Sequence, residues 1–218
     1  MDKIKASHFF RSSLAGVILS AALLLGFHFT TEGRFSPQTY RLLRILMGVV
    51  LYHQFLVWLV WRAQLCFNLF TRLFGKYDLL IWSLLFLPPL AARPVLTVLI
   101  ALSDRATLPG AAALWVFLAL LLLIPSLYGS YSVARYFGII RAVGADHFRE
   151  SYRSMPLASG GMYRWSNNVM YGYVFLLFWA IALIFRSQAA LVAALFQHAF
   201  VWVHYYTVES PDMDAIYG

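Results

Sequence analysis

The chain alternates long apolar runs with short polar connections. Five runs stand out, Leu14–Thr30, Leu42–Trp61, Gly110–Tyr128, Met170–Phe185 and Ala189–Tyr206. A helix rises 1.5 Å per residue, so about 20 apolar residues are needed to cross a hydrocarbon core of roughly 30 Å. Each run is read as a membrane-crossing helix. A further stretch, Leu79–Leu102, is apolar throughout but carries Pro88, Pro89 and Pro94 around Arg93. Proline removes an amide donor and clashes with the preceding turn, so this stretch is expected to kink or split, as one bent span or a re-entrant pair. Counted as one, it completes an all-α, polytopic transmembrane bundle of about six spans.

Composition agrees. Of 218 residues, 61% are hydrophobic and 12% charged, against roughly 25% charged in soluble domains. Such a chain cannot cover a water-facing surface. Aromatic residues make up 17%, with Trp and Tyr near the ends of the runs, where amphipathic rings anchor helices between hydrocarbon and headgroups. The net charge of +8 is scattered between apolar runs with no separate polar domain, which points to topology and anionic lipid rather than nucleic acid. Cys66 is the only cysteine, so an internal disulfide is excluded. The basic start with Lys3, Lys5 and Arg11 resembles a secretory signal, but the run after it is long and lacks a small-x-small cleavage site, so it is read as a retained anchor.

Six spans with the N-terminus inside place Lys3, Lys5, Arg11, Arg62, Arg72, Lys76, Arg135, Arg141, Arg149, Arg153 and Arg164 on one side, and Arg34, Arg41, Arg44, Arg105 and Arg186 on the other. Eleven against five puts both termini in the cytoplasm under the positive-inside rule. Arg93 is left unassigned, either lining a lipid-facing groove or snorkelling to the surface.

Candidate chemistry gathers late in the chain. The polar stretch Arg135–Ser166 is too long for a simple connector, and contains the turn signal Ser159-Gly160-Gly161 followed by Tyr163-Arg164-Trp165. Asn168, Tyr171, Gly172, Phe175 and Trp179 fall on one helical stripe, and His198, Val201, Trp202, Tyr205 and Glu209 on another. The short connection Arg186-Ser187-Gln188 makes the two helices antiparallel, so Asn168 and Glu209 are expected at the same membrane side. Glu209 is either a functional carboxylate or a solvated headgroup-layer residue beside Asp212 and Asp214. His198 and His204 face different ways, and His8, His28, His53 and His147 have no ligand spacing, so no metal site is expected. Ser-His-Asp and phosphate-loop signatures are absent from the sequence.

Residues Tyr128–Gly218 resemble the integral membrane methyltransferases that include phosphatidylethanolamine N-methyltransferase and isoprenylcysteine carboxyl methyltransferase. Members carry Tyr-Arg-x-x-Arg-His-Pro-x-Tyr or Asp-Asn-Pro-x-Tyr entering a hydrophobic hairpin, and Glu-Glu or Glu-x-Pro leaving it. This chain reads Tyr163-Arg164-Trp165-Ser166-Asn167-Asn168-Val169-Met170-Tyr171 and then Glu209-Ser210-Pro211. Gly129 and Tyr136-Phe137-Gly138-Ile139 resemble the phospholipid branch. Val169 replaces the motif's proline and Ser210 its second glutamate.

The resemblance implies a frame over residues 1–128 and a cofactor-binding region over 129–218. It implies S-adenosylmethionine contacted by Gly129, Asn168, Tyr171 and Glu209, and a phospholipid substrate entering from the bilayer. Its phosphate would be met by Arg135, Arg153 or Arg164, with Glu209, or less directly His198, as base. The implied reaction is methyl transfer to a lipid amine, of phosphatidylethanolamine or its methylated derivatives. The alternative is a non-enzymatic scaffold or transporter-like protein whose methyltransferase site has degenerated.

Overall fold

In the computed structural model, residues 6–218 are described; Lys3 and Lys5, counted above toward topology, lie outside them. The described residues are almost all helical, with no strand among them. A 3-10 turn, Ala6–Phe10, leads into α1 (Ser13–Thr31), α2 (Pro37–Phe67), the short α3 (Leu69–Phe74) and α4 (Asp78–Ser103). Then come α5 (Ala112–Ser132) and three one-turn helices, α6 (Ile139–Ala142), α7 (Ala145–Phe148) and α8 (Glu150–Arg153). The chain closes with α9 (Leu176–Ile184), α10 (Gln188–His204) and α11 (Ser210–Tyr217).

Local signals set several boundaries. Ser36 caps α2 by accepting from the Thr39 amide at 3.2 Å, with Pro37 in the first turn where its missing N–H costs nothing. Ser187 caps α10 in the same way through the Ala190 amide, at 3.0 Å. Across the connections, the Asp104 carboxylate accepts from Ser187 Oγ at 2.9 Å and the Ala189 amide at 2.7 Å, fastening the turn after α4 to the start of α10.

Four helical stretches among the described residues are long and apolar enough to cross a membrane: Ala6–Thr31, Pro37–Phe67, Leu69–Ser103 and Ala112–Phe137. The stretch Met170–Ile184 is apolar but shorter, so the expected six spans resolve into four full-length helices and a terminal hairpin of α9 and α10. Pro88, Pro89 and Pro94 do not split α4, which runs unbroken from Asp78 to Ser103. A membrane helix tolerates such prolines where neighbouring groups satisfy the freed carbonyls. The chain is an integral membrane protein: Leu14, Val17 and Phe29 of α1 stand 75%, 65% and 71% exposed, and only hydrocarbon accommodates apolar exposure on that scale.

The core lies where α1, α2, α4 and the hairpin meet, around Phe27, Leu43, Leu46, Ile100, Phe196 and Phe200. Ala182, Ala189, Ala190 and Ala193, all fully buried, let these helix backbones approach closely, as membrane interfaces favour. At one end of the bundle, residues next to both chain ends meet: His8 Nε2 lies 2.8 Å from Asp212 Oδ1.

Candidate active site

Three π-helical turns converge at that end. Val133–Phe137 prolongs α5, Met170–Val174 precedes α9, and Tyr205–Glu209 links α10 to α11. A π turn widens the helix by one residue and re-aims the side chains beyond it, and such turns recur at functional sites. Tyr171 lies in the second and Glu209 in the third, and the Tyr171 hydroxyl donates to the Glu209 carboxylate.

The connection after α5 folds back against the bundle. Gly144 has φ 92°, and a Cβ there would sit 2.6 Å from the Trp61 indole of α2. Gly160 and Gly161 lie against the Tyr136 ring, where a Cβ on either would collide, so they permit close packing as well as a turn. The Met162 amide donates to Ser132 Oγ at 3.0 Å. Tyr163 then stacks on Phe137, ring centroids 5.7 Å apart.

These elements enclose a polar chamber of about 90 Å³ lined by Arg141, Asp146, Tyr163, Asn168, Tyr171, Glu209 and Tyr217. Burial lifts the Glu209 carboxyl to about 7, although the Tyr171 hydrogen bond pulls the other way. The Tyr163 hydroxyl is buried with no hydrogen-bond partner among the described residues, and burial followed by the Glu209 charge pushes it up to about 12.

A hydrogen-bonded network continues from the chamber wall. Arg141 Nη2 donates to the Tyr217 hydroxyl at 3.2 Å, and that hydroxyl to Asp146 Oδ2 at 3.1 Å. His147 lies 3.3 Å from both Asp146 and Asp212, stacked at 4.2 Å on Trp61. Asp212 pairs with Arg62 and His8. Burial opposes the charge on His147, but hydrogen bonds and charges from the two aspartates outweigh it and raise the imidazole to about 9. Asp212, placed in the headgroup layer by the solvated reading, is wholly buried; Arg62, His8 and His147 make that burial tolerable. Only Asp214 of that group is exposed.

Beyond Tyr171 lies a larger and mainly apolar chamber of about 340 Å³ between α2, α4, α5 and the hairpin, with His53, Gln54, Arg93, Tyr171 and His204 in its lining. It shares Met170 and Tyr171 with the polar chamber. Through Gln54 and His204 it adjoins a groove of about 680 Å³ formed by α1, α2 and α10.

Asn168, Tyr171 and Glu209 thus line one chamber, while the other candidates lie elsewhere. Gly129 faces Tyr173, where a Cβ would come within 3.1 Å, and so serves the contact of α5 with the second π turn. His198 accepts from Trp179 Nε1 at 3.0 Å, outside the chamber lining. Arg135 and Arg164 are exposed, and Arg153 donates to the carbonyls of Asp146 and His147 at 2.6 and 3.2 Å. Tyr163, Arg141, Asp146 and Tyr217 were not anticipated as lining; of these, only Tyr163 belongs to a motif the sequence had already singled out.

Residues 114–218 match the family model described as phospholipid methyltransferase. This part of the chain is similar to the phospholipid methyltransferases. No curated protein and no solved structure matches the chain. The phospholipid methyltransferase match begins earlier than the motifs alone suggested, inside α5, and takes in all three π turns and Asn168, Tyr171 and Glu209. Helices α1 to α4, with His53, Arg62 and Arg93, lie before it.

Proposed function

We propose that the protein transfers methyl groups from S-adenosylmethionine to the amine of a membrane phospholipid, phosphatidylethanolamine or its methylated derivatives. The observation that carries this reading is the Tyr171–Glu209 pair, which stands where a polar chamber meets an apolar one. A water-borne donor and a lipid headgroup need such a junction.

The lining suits the donor. The unpartnered Tyr163 hydroxyl, the Asn168 amide and the Glu209 carboxylate offer donors and acceptors to ribose hydroxyls and an amino group. At about 90 Å³ the polar chamber has room for about three waters at liquid density. Admitting a whole nucleoside requires the Tyr171–Glu209 contact to part and join the two chambers, whose combined volume falls in the ~300–1,000 Å³ range of ligand sites.

When bound, S-adenosylmethionine supplies a sulfonium methyl group. The chain's own part is mostly alignment and exclusion of water. A lipid ammonium must lose a proton before its nitrogen has a lone pair to attack with, and Glu209, held near 7 by burial, is a base matched to neutral pH. With the donor held by Asn168 and Glu209, the deprotonated amine would take the methyl carbon, and the electron pair of the C–S bond would stay on sulfur. Before the donor enters, Tyr171 holds the Glu209 carboxylate through its hydroxyl. Val169, in place of the motif's proline, is fully buried beside Met162 and Tyr163, so packing absorbs that departure. By the excess of basic residues at the chamber end, both termini face the cytoplasm.

The test uses purified protein in lipid nanodiscs with methyl-labelled S-adenosylmethionine. Micromolar donor binding and label in phosphatidylethanolamine-derived lipid are expected. Absence of donor binding overturns the reading in favour of a non-enzymatic scaffold.

A further inference from the structure

Arg62 and Arg93, at 0% and 2% exposed, are the most deeply buried arginines among the described residues, and only Arg62 has a charged partner. Arg62 is surrounded: its guanidinium meets the Asp212 carboxylate and the carbonyls of His8, Arg11, Thr207 and Val208. Arg93, midway along α4 and 2% exposed, makes one side-chain hydrogen bond among the described residues, from Nε to Gln197 Oε1 at 3.1 Å. Its Nη2 is buried with no acceptor. No ion pair among the described residues includes it.

The guanidinium is nevertheless held firmly. Gln197 Nε2 donates to Thr97 Oγ1 at 3.0 Å, and Thr97 Oγ1 donates to the Arg93 carbonyl at 2.8 Å, one turn back along α4. The rings of Phe175 and Phe178 lie beneath it, with centroids at 5.0 and 5.7 Å. The aromatic faces offset part of the cost of burying the cation, but an unpaired charge in a dry interior still costs several kcal/mol. A positively charged fork fixed along one edge, with free N–H groups in a chamber of about 340 Å³, is shaped for an oxyanion that accepts two hydrogen bonds. An ionisable group at such depth is by default a functional-site hypothesis.

We propose that Arg93 makes the inner chamber an anion site for the phosphodiester of the lipid substrate. The assignment rests on the lipid methyltransferase reading above and adds a specificity-determining residue from outside the family segment. The chamber adjoins the outer apolar groove at Gln54 and His204 and the Tyr171–Glu209 pair at its other side. Phe175, under the guanidinium, has its ring centroid 6.4 Å from that of Tyr171. The short chain of bonds from phosphorus to nitrogen in an ethanolamine headgroup covers a similar distance. A phosphate at Arg93 therefore delivers the amine toward Glu209. Arg135 and Arg164, both exposed, are left to meet headgroups of the surrounding bilayer.

The experiment is lipid retention by the full-length protein in uncharged detergent, read by native mass spectrometry. The probes are phosphatidylmethanol, which has the phosphodiester but no amine, diacylglycerol with the same chains, and inorganic phosphate. Wild type is expected to retain phosphatidylmethanol at least tenfold better than diacylglycerol, with inorganic phosphate unable to displace it. Arg93→Gln should abolish the preference and Arg93→Lys restore part of it, with S-adenosylmethionine affinity unchanged. Equal retention of the two lipids by wild type overturns the proposal even if neither variant folds. Displacement by inorganic phosphate overturns the lipid assignment, and loss of donor affinity in Arg93→Gln reassigns the anion to the donor's carboxylate. Because retention needs no methyl transfer, a protein that discriminates the lipids but binds no donor refutes the reaction and keeps the anion site.

Discussion

Arg62 and Asp212 meet at 2.5 Å, Nε to Oδ1, with both side chains fully buried, and this pair ties α2 to the C-terminal helix that carries the chamber's far wall. Removing one partner of a buried pair leaves the other charge without compensation, which costs about 3–5 kcal/mol. Asp212→Ala is therefore expected to lower unfolding free energy in detergent by that order. The double variant Arg62→Met/Asp212→Leu should lose less than the two single changes added together, because it removes both charges. Additive losses would mean that the pair is not coupled.

His147 gives stability a pH dependence. Its imidazolium, lifted from an ordinary 6.5 to about 9 against the effect of burial, binds its proton more tightly in the folded state. That contribution is complete below pH 6.5 and is lost as pH rises through about 9. Asp212 has the opposite sense: burial alone would raise it, but His147, Arg62 and His8 hold it below its ordinary value, so its contribution is lost on acidification. Melting temperature in detergent should fall between pH 6.5 and 9 in wild type. A His147→Gln variant should be less stable at the lower end of that window and show a much shallower decline.

The helices were legible because apolar length is a direct statement about a bilayer, and their boundaries fell close to capping residues such as Ser36 and Ser187. The unbroken α4 was not legible, since proline's local penalty is visible in sequence and the neighbours that offset it are not. Asn168, Tyr171 and Glu209 were brought forward by motif order, and the short connection Arg186-Ser187-Gln188 placed Asn168 and Glu209 at one end of the hairpin, where both line the chamber. The stripe could not anticipate the π turns that hold Tyr171 and Glu209, because their registers depart from 3.6 residues per turn. Asp146, His147 and Arg141 stayed hidden in a loop with no periodicity, and Asp212 looked solvated because its partners are far away in the chain.

Gly144 is a steric requirement for that loop. Its φ of 92° disfavours any L side chain, and a Cβ would lie 2.6 Å from the Trp61 indole. Left-handed backbone alone costs a non-glycine residue about 1–2 kcal/mol, and the indole must also shift from its stack on His147. Gly144→Ala should lose at least that much stability and quench the pH dependence assigned to His147. A melting curve identical to wild type at both ends of the His147 titration would refute this.

Glu209 and Tyr171 make the rate itself a readout of the chamber. Burial raises the Glu209 carboxyl to about 7, and the Tyr171 hydroxyl, by donating to the ionised form, keeps it from rising further. If Glu209 takes the ammonium proton, kcat/KM for methyl transfer, which reports the donor-free protein, should increase with pH through an inflection near 7 as the carboxylate forms. Tyr171→Phe removes the stabilising donor and should move that inflection upward, with a loss of rate at neutral pH that recovers in part at alkaline pH. Glu209→Gln cannot accept the proton and should abolish the inflection, with a fall in rate on the order of 10²–10⁴-fold, the usual contribution of a positioned base. Donor binding measured alongside separates the roles: a Glu209→Gln variant that loses donor affinity but keeps the pH profile intact would make Glu209 a binding group and move the search for the base to another residue.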